Sequence, residues 1–324
     1  MTMHRTDLPL YARGLDRVKL AFKSTLHRMP RHPVIQRDEQ DHWHDGLLTV
    51  AGPVISDSRT LSELGYTQSP HPNIAVDTIT GLSAVHGLLT PDAVSALQRI
   101  CAGLEQDAGD SDWIISRRTR GVTALSPFLH SMMRSRAFLL AVSRIAGVPL
   151  VPYPMLNARA QVNYFYPKAH GSPREQVGMW HTDGTNYVLN IVLSNASDYT
   201  GGEFLFHNST IDSFDALDHR TFETAPLVEP GDALFIYGSR LFHGVCPVKT
   251  GRRMSLVLSF HCPYAREDSN RFWHLASDDG IPATVPNWLR LHWSLQQSAA
   301  RQFAALGIEP ITFEELGRVQ AHAC

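Results

Sequence analysis

Between Pro149 and about Pro263 the chain shows no helical period, and this stretch limits the fold more than any other feature. Six short β-rich runs follow one another there: Ala160–Tyr166, Tyr187–Leu193, Glu203–His207, Asp232–Tyr237, Gly244–Val248 and Arg253–Cys262. Gly, Pro, Asn and Asp separate them. Short strands punctuated in this way predict a sandwich or barrel of antiparallel strands, not alternating βα units. Helical signals lie on either side. Thr90-Pro91-Asp92 reads as a cap, a proline at the first helical position and an early acid, followed by an apolar face of Val94, Leu97, Cys101 and Leu104. Ser126-Pro127 opens a second helix, with Phe138, Leu139, Val142 and Ile145 inward and Gly147 as its terminator. Pro286 precedes an apolar helical run through Leu295, and Thr312-Phe313-Glu314-Glu315 reads as a capping box. Gly46–Ile55 and Asn73–Thr78 read as strands in the first part. The expected architecture is an all-β core with helical additions (α+β): a mixed segment 1–148, a β-core 149–263 and a helical segment 264–324, forming one compact unit.

Charge and cysteine usage exclude several classes of function. Lys plus Arg number 29 and Asp plus Glu 31 in 324 residues. A net charge of −2 lacks the cation excess that sequence-independent nucleic-acid binding requires. Four cysteines, Cys101, Cys246, Cys262 and Cys324, are scattered with no C-x-x-C pair, so neither a zinc site nor a disulfide framework is expected and a cytoplasmic setting is. No run approaches the roughly 18 apolar residues of a membrane span. Residues 1–31 are basic, and Leu15, Val18, Phe22 and Leu26 recur there at helical spacing; a helix packed on the body with its basic face in water is expected.

The chemistry is carried by a set of elements in a fixed order. His181-Thr182-Asp183 places an imidazole and a carboxylate at i and i+2, on one face of an extended strand. Alone this carries no weight, because 17 histidines and 31 acids spread over 324 positions yield about 1.6 such pairs by chance. Its surroundings supply the specificity. Gly201-Gly202-Glu203-Phe204 follows, then the turn Pro230-Gly231-Asp232 into an apolar strand, then His243. Arg253-Met254-Ser255 stands ten residues further on. A basic residue falls at one prescribed offset by chance only about 9% of the time, 29 in 324, and the ordered conjunction of all these elements is much rarer.

Over residues 150–263 the sequence resembles the iron(II)- and 2-oxoglutarate-dependent dioxygenases, most of all their prolyl-4-hydroxylase-like branch. The resemblance rests on His181/Asp183, Gly201–Glu203, His243 and Arg253/Ser255. It implies a double-stranded β-helix (jelly roll), wrapped here by N- and C-terminal helices. It also implies Fe(II) held by His181, Asp183 and His243, with 2-oxoglutarate as co-substrate and O2 as oxidant. The far carboxylate of 2-oxoglutarate needs a cation inside the barrel, and a guanidinium fork matches it; the resemblance assigns this role to Arg253. Ser255 would share its strand face and Arg252 would point away. Tyr166 resembles the family tyrosine that also contacts the co-substrate. Halogenating relatives lack the carboxylate ligand, so Asp183 argues against halogenation.

Other candidates have plainer readings. His42-Trp43-His44 alternates like a ligand pair but has no supporting partners. His170 and Trp180 flank the H-x-D strand. Arg117, Arg118 and Arg120 form a basic stretch read as solvated, Glu203 is read as fixing a turn, and Cys246 as a small core residue. The resemblance implies oxidation of an unactivated C–H bond, usually hydroxylation, with release of succinate and CO2. The large segments outside the motif suggest a closed pocket for a small molecule such as an amino acid or secondary metabolite. A peptide hydroxylase of the same class, and a jelly-roll metalloenzyme that does not use 2-oxoglutarate, are the alternatives.

Overall fold

The computed structural model describes residues 38–71, 73–110, 117–167, 180–227, 229–264 and 285–317. The expected amphipathic helix around Leu15–Leu26, His170 and Cys324 lie outside them. In chain order the strands are β1 (Val54–Thr60), β2 (Thr80–His86), β3 (Gly109–Asp110), β4 (Arg117–Arg120), β5 (Val151–Pro152), β6 (Ala160–Phe165) and β7 (Tyr187–Val192). They continue with β8 (Tyr199–Gly201), β9 (Phe204–His207), β10 (Phe222–Thr224), β11 (Ala233–Tyr237), β12 (His243–Val245), β13 (Val248–Gly251) and β14 (Arg253–His261). Every ladder among the described residues is antiparallel. A large sheet runs β1-β2-β11-β7-β14-β6-β4-β3, with β5 also on β14; the smaller sheets are β10-β9-β12 and β13-β8.

The alternation of side chains across the large sheet divides its two faces. Tyr187, Leu189 and Ile191 of β7, Met254, Leu256, Leu258 and Phe260 of β14, and Val162 and Tyr164 of β6 join the main core. The helices Pro91–Gly103 and Arg136–Ala146 close over that core with Val94, Leu97, Cys101, Phe138, Leu139 and Val142. Each fully buried side chain of this size stabilises the fold by about 1.5–3 kcal/mol. The opposite face packs Leu82, Ala84, Phe165, Val188, Leu234 and Ile236 against Phe204, Phe206 and Val245 of the three-stranded sheet. Phe165 of this second interior lies under the Arg253 guanidinium, and Phe204 stacks on the His243 ring.

The capping signals are realised. The Thr90 hydroxyl accepts the Ala93 amide, and Gly147 ends its helix in the left-handed region at φ 77°. Thr312 and Glu315 make reciprocal capping bonds around a short 3-10 turn. A helix over 285–295 is present as expected. The second predicted helix is two, Pro127–Met132 and Arg136–Ala146, because Ser135 breaks the run by capping the latter through the Phe138 amide.

Three strand expectations need correction. In the Gly46–Ile55 run the strand begins only at Val54, and Asn73–Thr78 ends in a 3-10 turn at Val76–Thr78. The strand that follows, β2, is buried from Thr80 to Val85. Its small residues show no clear polar alternation, and a Cβ on Gly81 would meet Leu64 Cδ1 at 2.5 Å. Gly244–Val248 divides into β12 and β13 around Cys246-Pro247, since proline cannot donate to a ladder. The large sheet also recruits β1 to β4 from before residue 149, so its strands cross the 148/149 boundary.

Candidate metal centre

His181 and His243 form an isolated antiparallel bridge, with both amide-to-carbonyl bonds at 3.0 Å. This pairing lays the two imidazoles side by side, ring centroids 4.3 Å apart. Asp183 is anchored by its own amide, which donates to the Gly238 carbonyl at 2.8 Å. The Asp183 carboxylate then points between the rings, Oδ1 at 3.7 Å from His181 Nε2 and Oδ2 at 3.6 Å from His243 Nε2. These gaps are too long for hydrogen bonds. The three donors surround a point, all within 4.8 Å of one another, and a cation takes such donors at about 2 Å each. Nitrogen and oxygen donors in this ratio fit Fe(II).

The surroundings orient the ligands. His243 Nδ1 lies 3.0 Å from the Leu241 carbonyl. A carbonyl only accepts, so Nδ1 carries the proton and Nε2 keeps its lone pair for a metal. Phe204 stacks on the His243 ring at 5.3 Å and 11°. On the outer side of the bridge Trp180 packs on Phe222 and Phe214, and Phe214 stacks on Phe242. Trp180 therefore braces the histidine strands through packing.

Arg253 and Ser255 share the inner face of β14, opposite Phe165 and Asn163 of β6. Arg253 is only 2% exposed, with its guanidinium over the Phe165 ring at 5.1 Å. Burial lowers its pKa, against smaller raising effects from Tyr199 and Glu203. Arg253 Nη1 and Ser255 Oγ are buried without a hydrogen-bond partner among the described residues. Leaving one such donor unmet costs about 1–3 kcal/mol, more for a charged group. Gly202, at φ +75°, makes room for the arginine: a Cβ there would meet Arg253 Cδ at 2.9 Å, while one on Gly201 would meet the Pro247 carbonyl oxygen at 2.2 Å.

The structure thus brings His181, Asp183 and His243 together, and sets Arg253 and Ser255 on one face of β14. Tyr166 does not join them, which corrects the expectation placed on it. It follows Phe165 and packs with the main core on the other face of the sheet, where its hydroxyl donates to Glu105. Arg252 points the same way and binds Glu105 Oε2 at 2.6 Å. Trp43 of His42-Trp43-His44 packs edge-on against Phe128 and Phe138. Arg117 pairs with the Ala108 carbonyl and Asp110. Glu203 is exposed, and its carbonyl accepts the Cys246 amide at 2.8 Å.

Sequence reasoning missed Gly238, Asn163 and Asn190. Gly238 abuts Asp183: a Cβ there would lie 2.6 Å from Oδ2 and 2.7 Å from the Thr185 carbonyl. In sequence it reads only as the end of a strand. Asn163 and Asn190 are buried on the inner face, each with Oδ1 unpartnered among the described residues. Their signal lies in the strands themselves: Asn190 is the one amide in the apolar run of β7, and Asn163 stands between Val162 and Tyr164 of β6.

No protein-family model and no curated protein matches the chain. Solved structures do. The non-heme alpha ketoglutarate dependent carbocyclase SnoK from nogalamycin biosynthesis is 16% identical over 56% of this chain and 79% of that one, TM-score 0.42. EctD from S. alaskensis with 2-oxoglutarate and 5-hydroxyectoine is 16% identical over 65% and 86%, TM-score 0.44. HygX from Streptomyces hygroscopicus with nickel and 2-oxoglutarate is 17% identical over 57% and 83%, TM-score 0.39.

Proposed function

We propose that the protein is an Fe(II)- and 2-oxoglutarate-dependent oxygenase of a small molecule, built on a double-stranded β-helix. One observation carries this reading beyond a bare metal site: two buried donors, Arg253 Nη1 and Ser255 Oγ, have no partner among the described residues and share one face of β14, where the Arg253 guanidinium lies over Phe165 of the second interior. A metalloenzyme with no second anion to bind has no use for that buried guanidinium, whose desolvation is costly until a carboxylate meets it.

His181, Asp183 and His243 would hold the iron, with the Leu241 carbonyl fixing the tautomer of His243. Arg253 and Ser255 would receive the distal carboxylate of 2-oxoglutarate through charge-assisted hydrogen bonds. Iron bound there with 2-oxoglutarate and O2 supplies the oxidant for an unactivated C–H bond, releasing succinate and CO2. The chain's own task is to orient the co-substrate and exclude water, which Phe204, Phe165 and the apolar packing around them serve.

The test is an anaerobic titration of the apo-protein with Fe(II) and then 2-oxoglutarate, following the visible metal-to-ligand charge-transfer band. The band is expected in the wild type and not in His181→Ala. Iron binding without a band would transfer the reading to a metalloenzyme that does not use 2-oxoglutarate.

A further inference from the structure

A second constellation of reactive side chains lies at the other end of the large sheet. Ser56 Oγ is 2.7 Å from His86 Nε2, and His86 Nδ1 is 2.7 Å from Asp232 Oδ1. A carboxylate only accepts, so His86 Nδ1 carries the proton; in the neutral ring Nε2 is then the acceptor and Ser56 donates to it. The second carboxylate oxygen of Asp232 accepts the Glu229 amide at 2.9 Å, and the Asp232 amide returns a bond to the Glu229 carbonyl at 3.0 Å. The acid is thereby held within its turn. Nucleophile, base and orienting acid stand in the order and at the distances by which a Ser-His-Asp triad is recognised on unrelated folds.

Three further features fit such a centre. Ser56 falls at the register shift between Ile55 and Asp57 of β1, and bulges of this kind re-aim side chains beside active sites. Exposure grades along the relay: Ser56 is exposed, the His86 side chain is 30% exposed and that of Asp232 9%. The serine therefore meets solvent while the acid does not. Among the described residues β1 is the terminal strand of the large sheet, and an edge strand presents unpaired backbone N–H groups, the type of donor that stabilises an oxyanion. Val54, which pairs with His86, and Ile55 are both exposed apolar residues beside the serine.

We propose that Ser56, His86 and Asp232 form a second, metal-independent nucleophilic centre that accepts acyl groups from small activated esters. Ser56 Oγ attacks the ester carbonyl carbon as His86 Nε2 takes its proton. The carbon–oxygen bond to the alcohol then breaks, and the alcohol leaves with that proton. Water attacks the acyl-serine in the same sense, giving the carboxylic acid and free Ser56, with no change in oxidation state. The site lies apart from the metal centre. Asp232 precedes β11 and Gly238, which abuts Asp183, follows it; the five residues of that strand, six steps of chain from 232 to 238, separate the two by about 20 Å.

The experiment exposes the full chain to an alkyl fluorophosphonate and follows adduct formation by intact mass and peptide mapping. One adduct per chain on Ser56 is expected, absent in Ser56→Ala, unchanged in EDTA, and formed about 100-fold more slowly in His86→Ala. His86 also ties β1 to the Glu229–Asp232 turn, so His86→Gln, which keeps a hydrogen-bonding side chain there, is measured alongside and should be equally slow. No adduct, an adduct mapping elsewhere, loss of labelling in EDTA, or a wild-type rate in a folded His86 variant would overturn the proposal.

Discussion

Gly238→Ala is the most direct probe of how the metal centre is held. The added Cβ would lie 2.6 Å from Asp183 Oδ2, 2.7 Å from Asp183 Cβ and 2.7 Å from the Thr185 carbonyl oxygen, where ordinary contact begins at 3.4 Å. The carboxylate has some freedom to turn aside. The Thr185 carbonyl belongs to the backbone leading into β7, and the Gly238 amide is itself tied to Asn186, so neither main chain yields easily. Relief therefore falls on Asp183, displaced by several tenths of an ångström from the point between the two imidazoles. Overpacking of this kind costs about 1–3 kcal/mol of stability. Disturbing the groups that orient a ligand typically costs 10–100-fold in metal affinity, or about 1.4–2.8 kcal/mol. Two readouts separate the effects: the thermal midpoint of the apo-protein, and the anaerobic dissociation constant for Fe(II), with Co(II) as a spectroscopic check. Both should worsen. A variant that binds Fe(II) with wild-type affinity would refute the view that the missing side chain at 238 positions Asp183.

Arg253→Ala should weaken 2-oxoglutarate binding at least about 30-fold, the lower bound for breaking a buried charge pair, with Fe(II) affinity nearly unchanged; Arg253→Lys should recover only part, lacking the planar fork. Anaerobic titration of the charge-transfer band reads both. Tyr166→Phe should leave the 2-oxoglutarate dissociation constant within twofold of wild type, because its hydroxyl serves Glu105 on the other face of the sheet; a larger loss would return Tyr166 to the co-substrate site. Burial, aided by the nearby Arg240 charge, pushes His71 down to about 4. The unfolded chain then takes up a proton that the folded one refuses, so stability is full above pH 6.5 and falls as pH drops towards 4. At pH 5 the loss from this residue is about 2 kcal/mol, and denaturant unfolding of apo-protein at pH 5 and 7.5 should show a smaller difference in His71→Gln.

Much of the candidate site is legible in the sequence, and the reason is local. H-x-D needs only an extended backbone to put both side chains on one face, and Arg253 and Ser255 need only the alternation of β14. Caps at Thr90 and Gly147 are likewise decided within a turn of chain, by the amides and carbonyls that a helix end leaves unmet. Sequence therefore determined the antiparallel β-centre, the helices beside it, the common face of His181 and Asp183, and the common face of Arg253 and Ser255.

Tertiary structure decided what depends on partners distant in the chain. Tyr166 matched a pattern by residue type, yet strand parity sends it to the opposite face from Arg253, where Glu105, 61 residues earlier, receives it. Gly238 looked like a strand end until the fold brought Asp183 against it. The buried strand β2 was unreadable because a strand enclosed on both sides need not alternate. Ser56, His86 and Asp232 lie up to 176 residues apart in sequence. Only the pairing of β1 with β2, and of β2 with β11, aligns them into one relay. Local patterns report what a residue does within its own element; only the assembled sheet determines which side chains meet across it.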